Sequence, residues 1–549
     1  MKLGIDIGGT HTDGALLYKD QVLKTLKLST DDNNLSETIL NLCHKLVQDY
    51  NPQEIEEITL STTLATNTIV NNDYKRTGLL LITGPGIKQE WSEFAAETIS
   101  GYINHRGQEV EEIKKEEVIA AVDNLLAVGV KNIAICGKFS TRNPKHELKV
   151  KDIIENNFPS LKTISLSHQL TSRLNFPRRQ VTTYFNSALY EVQQNFINNI
   201  RSGFAELGLK APLYLLKADG GTMSLKEAEK TPIETVNSGP SASIMGILAL
   251  TQPQENTLGL DIGGTTTDIS FFINQEPLLK PEGVAINNYH SSIRGLYNYS
   301  IGCGGDSVIK LEDGSLEIGP QRRGPAAALG GNYPTPTDAL IVLDKLKLGT
   351  RKKAYQSLQP LAKKLELSVE AVAHKIIQHF CQKIKNKVLD IINSLQSQTV
   401  YTITELLTDY NLDLNHLVGI GGPAEALIPE LAKHLALRYT VPKEAKTANA
   451  IGAAAARKTT ECTLYADTSQ GYYHIPQFKE QTEISSDFDL SRAKETARKQ
   501  LIDAGHTKSE IEITNTESFN LVRGFRTIGQ ILEVTAQIKP GLEISITKD

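Results

Sequence analysis

Two segments rich in aspartate and glycine carry the clearest chemical signal in this 549-residue chain. Residues 4–13 read GIDIGGTHTD and residues 259–268 read GLDIGGTTTD, so eight of the ten positions are identical. Each Gly-Gly-Thr turn offers backbone N–H groups and hydroxyls to a phosphate chain. The flanking aspartates are hard oxygen ligands, of the kind that bind magnesium directly or through water. Two facing copies therefore predict a site that binds one triphosphate from both sides.

The residues around each copy predict a strand–turn–strand hairpin. Apolar residues precede Asp6 and Asp261, and residues 14–18 (GALLY) and 269–273 (ISFFI) are apolar enough to form a second strand. A Walker A loop or a dinucleotide fingerprint would instead open a helix, and neither pattern is present. A single copy would be compatible with a plain hairpin turn, whereas two near-identical copies favour a shared function.

Composition excludes several classes of protein. Charged residues make up 22% of the chain and hydrophobic residues 40%, which is typical of a globular protein of several domains. The net charge of −5 argues against nucleic acid or an anionic membrane as a partner. No apolar run reaches the roughly 18 residues that span a bilayer, and Asp6 interrupts the place of a signal-peptide core. The five cysteines are scattered, which predicts reduced thiols in the cytoplasm.

Three polar segments could line a ligand site. Residues 59–68 (TLSTTLATNT) could present hydroxyls and Asn67 to a cleft, or form a solvated loop or strand end. Arg178 and Arg179 open a predicted helix and could bind a carboxylate or phosphate in bidentate fashion, or form a surface pair. Residues 237–241 (NSGPS) precede a helix of small apolar residues, whose N-terminus could hold an anion or simply be capped.

Further glycine turns follow later in the chain. Residues 301–307 (IGCGGDS) form one such loop, in which Cys303 could be a nucleophile or a small buried hydrophobe. Residues 319–338 are rich in Gly and Pro and predict a loop excursion. Residues 417–424 (LVGIGGPA) predict a strand and turn that lead into a helix over 425–437.

The remaining pattern predicts layers of helix and sheet. Residues 78–83 and 132–137 are expected to form buried strands, with an amphipathic helix at 108–128 between them. Residues 447–456 (TANAIGAAAA) predict a close-packed helix of small residues. Residues 490–549 alternate between helix and strand and carry no obvious chemistry.

Taken together, the motifs resemble those of the hydantoinase A / 5-oxoprolinase family, within the actin-like ATPases that include sugar kinases, actin and heat-shock chaperones. The matching stretches keep their order over about four-fifths of the chain. They are DIGGTHTD (6–13), STTLATNTIV (61–70), RRQVTTYFNSAL (178–189), ADGGTMS (218–224), NSGPSAS (237–243), DIGGTTTD (261–268), IGCGGDSV (301–308), PTPTDA (334–339) and GIGGPAEA (419–426).

The resemblance implies an α/β fold with two actin-like (ribonuclease H-like) ATPase domains around a nucleotide cleft. The expected boundaries are residues 1–200 for the first domain and 201–460 for the second, which carries a helical insertion at about 350–400. Residues 461–549 are expected to form a small C-terminal α/β module.

The resemblance also implies a function. With ATP and Mg²⁺ as cofactors, the chain would phosphorylate the carbonyl or amide oxygen of a cyclic amide, such as 5-oxoproline or a hydantoin, for ring opening. Alternatives are a subunit of an ATP-dependent ketone carboxylase, a small-molecule kinase of the same fold, or a nucleotide-binding subunit without catalysis. A separate B-type subunit is the implied partner beside the small-molecule substrate, and homo-oligomerisation is left open.

Residue roles follow from the resemblance. Asp6 and Asp261 would organise Mg²⁺ and its water, and Asp13 or Asp268 would orient the acceptor or act as a base, so these four aspartates are the candidate catalytic residues. The candidate nucleotide contacts are Gly8, Gly9, Thr10, Thr12, Gly263, Gly264, Thr265 and Thr267 for the phosphates, and Gly421, Gly422 and Pro423 for the adenosine. The candidate substrate residues are Thr66, Asn67, Arg179, Ser238, Gly239, Gly304 and Gly305.

The sequence departs from the family pattern in its substrate loops. The third glycine loop usually reads IGAGGGS, and here Asp306 replaces a glycine. The usual Gly-Pro-Ala-Cys-Tyr-Gly stretch lacks its Cys and Tyr around residues 324–331. The nucleotide motifs themselves are intact.

Overall fold

The computed structural model describes residues 1–30, 35–86, 94–312, 314–397, 412–478, 480–485 and 487–547. Its α-helices, in chain order, are α1 (Leu35–Val47), α2 (Leu64–Val70), α3 (Lys115–Ala127), α4 (Lys145–Asn157), α5 (Phe176–Glu206), α6 (Leu225–Ala228), α7 (Ser238–Thr251), α8 (Pro336–Val342), α9 (Arg351–Leu365), α10 (Val369–Ser397), α11 (Ala424–Leu435), α12 (Ala448–Ala455) and α13 (Leu490–Asp503). Among these helices, none combines the length and apolar character needed to cross a bilayer.

The strands are β1 (Lys2–Ile7), β2 (His11–Tyr18), β3 (Gln21–Ser29), β4 (Glu57–Thr62), β5 (Thr77–Ile82), β6 (Ala95–Thr98), β7 (Tyr102–Ile103), β8 (Glu109–Glu111), β9 (Asn132–Gly137), β10 (Ile164–Leu166), β11 (Leu213–Leu216), β12 (Thr222–Ser224), β13 (Thr257–Ile262), β14 (Thr267–Ile273), β15 (Glu276–Pro277), β16 (Ala285–Ile286), β17 (Tyr289–His290), β18 (Asn298–Ile301), β19 (Ser307–Glu312), β20 (Ser315–Arg322), β21 (His416–Ile420), β22 (Arg438–Thr440), β23 (Glu461–Asp467), β24 (Tyr472–Ile475), β25 (Glu480–Glu483), β26 (Ile511–Arg523) and β27 (Arg526–Ile538).

Two sheets share one arrangement of strands. The first runs β12-β11-β4-β1-β2-β3, and the second runs β15-β14-β13-β21-β22, with β18 also paired to β14. In each sheet, an antiparallel hairpin (β1–β2 or β13–β14) is joined on its other side by a parallel strand (β4 or β21). These are the two hairpins predicted from the repeated motif, and that prediction is confirmed.

A third sheet, of order β10-β9-β5-β6, is parallel throughout. It contains the two predicted buried strands, as β5 and β9. The predicted amphipathic helix between them is shorter than expected and begins at Lys115. Glu109–Glu111 instead form β8, because they pair with β7, and this tertiary pairing takes them out of the helical pattern.

Helices α7 and α12 connect the two repeated sheets by very close packing. A Cβ placed on Gly246 of α7 would lie 2.2 Å from the carbonyl oxygen of Ala448, so the backbones of the two helices touch. On its other side, α12 lies against β1, where a Cβ on Gly4 would lie 2.0 Å from the carbonyl oxygen of Ala450. The small residues of 447–456 are therefore needed for contact, as the sequence predicted.

The C-terminal residues form the sheet β25-β24-β23-β27-β26 with α13 packed on β23 and β27. The chain then returns to the first sheet. The backbone N–H of Ile546 donates to the carbonyl of Ala249 (3.1 Å) and that of Thr547 to the carbonyl of Asp20 (2.9 Å). The last described residues thus attach the C-terminal part of the chain to α7 and to the β2–β3 turn.

Candidate functional site

The turns of the two hairpins have the same local geometry. The N–H of Gly8 donates to the carbonyl of His11 at 3.0 Å, and the N–H of Gly263 donates to the carbonyl of Thr266 at 2.9 Å. A Cβ placed on Gly9 would meet no atom of the described residues within 4 Å, so this part of the first turn faces open space. The first turn therefore exposes peptide groups that a phosphate can approach.

The aspartates of the two motifs converge. Asp6 is the register partner of Asp13, and Asp261 is the register partner of Asp268. The amide Nδ2 of Asn449, in α12, donates both to Asp6 Oδ2 (3.2 Å) and to Asp261 Oδ2 (3.3 Å). Sequence reasoning missed Asn449, although it is the single polar side chain in the otherwise apolar helix α12 and could have been noticed for that reason.

Burial and mutual repulsion raise the pKa of three of these carboxyl groups, those of Asp6, Asp13 and Asp268. Burial, followed by the charge of Asp13, raises the pKa of Asp6 to about 7. Burial raises the pKa of Asp13 to about 6 even though Lys27 Nζ lies 2.7 Å from its Oδ2. Burial and the charge of Asp261 raise the pKa of Asp268 to about 6. The site therefore holds more buried negative charge than its own cations compensate.

This charge imbalance fits a divalent cation. The Oδ1 atoms of Asp6 and Asp13 are buried and have no hydrogen-bond partner in the described part of the chain. Within that same part, no three His, Cys, Asp or Glu side chains come together as a ready-made metal site. The arrangement matches the habit of Mg²⁺, which keeps several waters and takes one or two carboxylates together with phosphate oxygens.

The glycine loop at 301–307 packs on the second hairpin. The N–H of Gly305 donates to the carbonyl of Gly263 (2.9 Å), and the N–H of Asp306 donates to that of Gly264 (2.7 Å). A Cβ on Gly304 would lie 2.7 Å from the Gly263 carbonyl, so only glycine fits there. Gly304 and Gly305, predicted as substrate residues, thus lie against the turn of the second hairpin.

One arginine spans the space between the hairpins. Arg322, the last residue of β20, places Nη1 at 3.0 Å from Thr10 Oγ1 and Nη2 at 3.3 Å from Asp306 Oδ2. The Gly- and Pro-rich composition of residues 319–338 predicts a loop here, whereas residues up to Arg322 belong to β20, which forms a β-hairpin with β19. The feature of the sequence that could have indicated Arg322 is the pair of adjacent arginines between two Gly-Pro steps. The guanidinium adds a cation between the two turns.

The threonines of the motifs divide into two groups. Thr12 and Thr267 are fully buried, and their hydroxyls contact Thr30 Oγ1 (3.0 Å) and the Cys303 carbonyl (2.6 Å). These hydroxyls stabilise the hairpins from inside. Cys303 is itself buried, and burial raises its thiol pKa to about 12, which agrees with the buried-hydrophobe alternative. The hydroxyl of Thr10, in the first turn, instead accepts from Arg322 Nη1.

The segment at 59–68 meets the start of α7. It forms the end of β4 and then α2, and Thr62 is 1% exposed, so the solvated-loop alternative is wrong there. Ser238 Oγ donates to the Thr62 carbonyl (2.8 Å) and accepts from the Thr62 N–H (3.2 Å). Ser238 is therefore engaged with β4, directly beside the first hairpin strand β1.

The neighbouring candidate residues cluster at the same junction. Thr66 Oγ1 accepts from the backbone N–H of Asn237 at 3.0 Å. Asn67 is exposed and donates to Thr63 Oγ1 at 3.2 Å. A Cβ on Gly239 would lie 3.4 Å from Thr63 Cγ2. The fold thus brings 59–68 and 237–241 together, as a shared cleft wall would require.

The late glycine turn lies beside the second motif. Gly421 has φ +96°, and a Cβ there would lie 2.8 Å from Asp261 Oδ1. A Cβ on Gly305 would lie 2.8 Å from Pro423 Cγ, so the two glycine turns are in contact. Gly422 faces open space, with nothing among the described residues within 4 Å of its Cβ position.

Arg179 lies elsewhere in the fold. It is fully buried, so the surface-pair alternative is wrong for this residue. Its Nη1 donates to Ser140 Oγ (2.8 Å) and Ser167 Oγ (2.7 Å), and its Nη2 donates to the Gly137 carbonyl (2.8 Å). These contacts place the guanidinium at the carboxyl end of β9, within the third sheet rather than between the hairpins.

Comparison with known proteins defines the class. Residues 179–462 match the hydantoinase/oxoprolinase family, and residues 2–158 match the hydantoinase/oxoprolinase N-terminal region. The first match alone covers half of the chain. The chain belongs to the hydantoinase/oxoprolinase family.

Individual relatives are distant in sequence. The caprolactamase subunit alpha of Pseudomonas jessenii is 24% identical over 82% of this chain and 69% of the relative. The acetophenone carboxylase gamma subunit of Aromatoleum aromaticum is 26% identical over 68% of this chain and 57% of the relative. The 5-oxoprolinase of Saccharomyces cerevisiae is 26% identical over 44% of this chain and only 19% of the relative. The chain spans a part of the length of each.

Solved structures share the fold. The ATP-dependent caprolactamase from Pseudomonas jessenii superposes with a TM-score of 0.73 at 20% identity, covering all of this chain and 89% of that one. The nucleotide-free acetone carboxylase superposes with a TM-score of 0.70 at 17% identity, covering all of this chain and 88% of that one. The mixed α/β fold with several sheets is therefore that of these two enzymes.

Proposed function

We propose that this chain binds MgATP between its two hairpins and phosphorylates the carbonyl or amide oxygen of a cyclic amide, of the 5-oxoproline or hydantoin type, for ring opening. The observation that carries the proposal is the pair of hydrogen bonds from Asn449 to Asp6 and Asp261. They join the same position of two equivalent hairpins, as expected if the two sheets are actin-like domains that hold one nucleotide between them.

The proposed roles follow from the contacts. The turn peptides of Gly8–Thr10 and Gly263–Thr265 would bind the phosphates, and Asp6 and Asp261 would hold Mg²⁺ and its water. When bound, the ion supplies charge neutralisation to the transferring phosphoryl group. Arg322 adds a positive charge between the two turns. Phosphoryl transfer needs mainly such positioning and neutralisation.

Asp13 and Asp268 are the proposed proton acceptors. Burial holds the pKa of each near 6, which is close to working pH and suits a general base. An amide whose oxygen has become a phosphate ester is a better electrophile, because phosphate is a better leaving group than the oxygen it replaces. The loops of this chain that depart from the family pattern, at Asp306 and around residues 324–331, would then determine which amide is accepted.

A partner chain belongs to the proposal. Two of the relatives are named as subunits, alpha of a caprolactamase and gamma of an acetophenone carboxylase. A B-type subunit is therefore proposed to complete hydrolysis. The five cysteines are all buried free thiols, which supports the proposed cytoplasmic location.

A ketone carboxylase subunit is the second candidate. It is favoured by the superposition on acetone carboxylase over the whole of this chain, at a TM-score of 0.70. The same phosphorylation would then act on a ketone enolate oxygen rather than on an amide. The nucleotide site is common to both candidates, so the acceptor distinguishes them.

The test is phosphate release from MgATP by the purified chain, with 5-oxoproline, hydantoin, caprolactam, acetone and acetophenone as acceptors, with and without a B-type subunit. Stimulation by an amide supports the proposal, and stimulation by a ketone supports the second candidate. A stable phosphorylated product would indicate a kinase. Tight ATP binding with no turnover, even with the partner, would indicate a subunit without catalysis.

One variant tests the assigned site. Asp261→Asn should lower turnover by about 100-fold or more while the fold is kept, since the variant removes a charge that organises the cation. Asp503→Asn, at an exposed position of α13, is the matched control and should leave the rate unchanged. A normal rate in Asp261→Asn would rule out the proposed role.

A further inference from the structure

A polar pocket lies between the C-terminal sheet and the residues that follow β11. We call it the C-terminal pocket. Its charged lining residues are Arg173, Lys217, Asp219, Glu234, Arg294 and Glu461. None of them belongs to the repeated motifs, and none has a role in the proposed phosphoryl transfer. The pocket is therefore separate from the candidate nucleotide site.

Polar contacts attach the C-terminal sheet to the rim of the pocket. Gln537 Nε2 donates to Asp219 Oδ2 at 2.9 Å, and Arg294 Nη2 lies 2.6 Å from Glu512 Oε1. Both contacts connect strands of the C-terminal sheet, β27 and β26, to earlier parts of the chain. A ligand in the pocket would therefore touch both sides of this junction.

One side of the pocket has positive charge and donors without partners. Ser292 is 6% exposed, and its Oγ has no hydrogen-bond partner among the described residues; the same is true of the buried Nη1 of Arg294. Burial lowers the pKa of Arg173, the charge of Glu461 opposes this, and the neighbouring charge of Arg294 lowers the pKa further, so the two guanidinium groups repel each other. A bound carboxylate would relieve this repulsion and accept from both.

The other side of the pocket has an excess of acid. Lys217 Nζ lies 3.7 Å from Asp219 Oδ2 and 3.5 Å from Glu234 Oε2, so one ammonium is shared by two carboxylates. Burial raises the pKa of Glu234, the charge of Lys217 opposes this, and the charge of Glu461, a third acid, adds to it. An amine on the ligand would compensate this excess.

We infer that the C-terminal pocket binds a small aminocarboxylate. Its carboxylate would lie on Arg173, Arg294 Nη1 and Ser292 Oγ, and its amine would face Glu234 and Glu461. This binding requires no nucleotide, so the inference goes beyond the proposed phosphoryl transfer.

The topology places the pocket near the first hairpin but outside it. Lys217 directly follows β11, and Gly8 directly follows β1, and both strands are parallel to β4, which lies between them. The two residues are therefore at the same edge of the sheet, about 10 Å apart at two strand spacings. A ligand there would lie beside the nucleotide site without overlapping it.

The test is calorimetric titration of the full chain, without ATP, with 5-aminopentanoate, glutarate and 1,5-diaminopentane. We expect saturable binding of 5-aminopentanoate, and binding of the other two that is weaker by about tenfold or more, because each lacks one of the two matched charges. Equal binding of glutarate would overturn the aminocarboxylate assignment. No saturable binding of any probe would overturn the site.

Variants locate the binding. Arg173→Gln and, as a milder change, Ser292→Ala should each weaken 5-aminopentanoate binding, the former by about tenfold or more. Arg498→Gln, at a half-buried arginine of α13 that does not line the pocket, should not. Asp261→Asn should leave the affinity unchanged even if ATP turnover is lost, which separates this inference from the proposed function. Affinities unaffected by both pocket variants would overturn it.

Discussion

The guanidinium of Arg322 lies 3.0 Å from the hydroxyl of Thr10, although the two residues are 312 positions apart in the chain. The contact runs from the end of β20 to the turn of the first hairpin. Because the other nitrogen of Arg322 contacts Asp306, on the second hairpin's glycine loop, a single side chain touches both halves of the candidate nucleotide site.

Replacing this arginine should disable catalysis without unfolding the chain. We expect Arg322→Ala to lower ATP turnover by about 100-fold, since a cation placed at developing phosphoryl charge contributes several kcal/mol. Arg323→Ala is the control, because the adjacent Arg323 is exposed and contacts Tyr333 and Gln321 instead. Steady-state phosphate release measures both, and equal rates would contradict the assignment.

Asn449 should matter for both stability and activity. Asn449→Ala removes the donor shared by Asp6 and Asp261 and leaves two part-buried oxygens less satisfied, at a cost of about 1–3 kcal/mol. We expect a lower melting temperature and a turnover reduced by about tenfold or more. Asn199→Ala, at an exposed position of α5, should change neither property. Unchanged turnover in Asn449→Ala would show that the two aspartates do not depend on this bridge.

The two glycines of the late turn should respond differently. Gly421→Ala places a side chain at φ +96° and within 2.3 Å of the Ile262 carbonyl, so it should lower the melting temperature and the activity together. Gly422→Ala meets no atom of the described residues within 4 Å and should leave the melting temperature unchanged. If Gly422→Ala nevertheless weakens ATP binding, the open space beside Gly422 is where the nucleotide lies. Thermal unfolding with and without MgATP checks both outcomes.

Glu533 should make the stability of the C-terminal sheet depend on pH. Burial, followed by the charge of Glu517, raises the pKa of Glu533 from 4.5 to about 7. The folded chain therefore binds this proton more tightly than the unfolded chain, and stability falls as the pH rises from about 4.5 to about 7. The full effect is on the order of 3 kcal/mol, because one pKa unit corresponds to about 1.4 kcal/mol.

Glu533→Gln removes this dependence. Its melting temperature, relative to the unmodified chain, should rise between pH 5 and pH 8. Glu495→Gln, at an exposed position of α13, should give a constant difference over the same range. A constant difference for Glu533→Gln as well would mean that Glu533 titrates near its ordinary value in the folded chain.

The sequence alone was sufficient for the hairpins, because their signals are local. Gly-Gly turns between apolar alternating segments specify a strand–turn–strand unit within about 15 residues, and the repeat shows that there are two. The small-residue helix at 447–456 and the strands β5 and β9 were predictable for the same reason. Predictions were poorer where pairing with a distant segment decides the secondary structure. The first residues of the helix predicted at 108–128 instead form the strand β8, because β7 is available as a partner.

The sequence by itself determined the family, the repeated Gly-Gly-Thr turns and the aspartates that flank them, because each of these features lies within a short stretch of contiguous residues. Only the tertiary structure decided which distant side chains complete the site. Asn449 reaches Asp6 across 443 positions, and Arg322 reaches Thr10 across 312. It also turned Thr12 and Thr267 inward and buried Arg179 at another sheet. Such contacts depend on how helices and sheets pack against each other, and no local spacing in the chain encodes that packing.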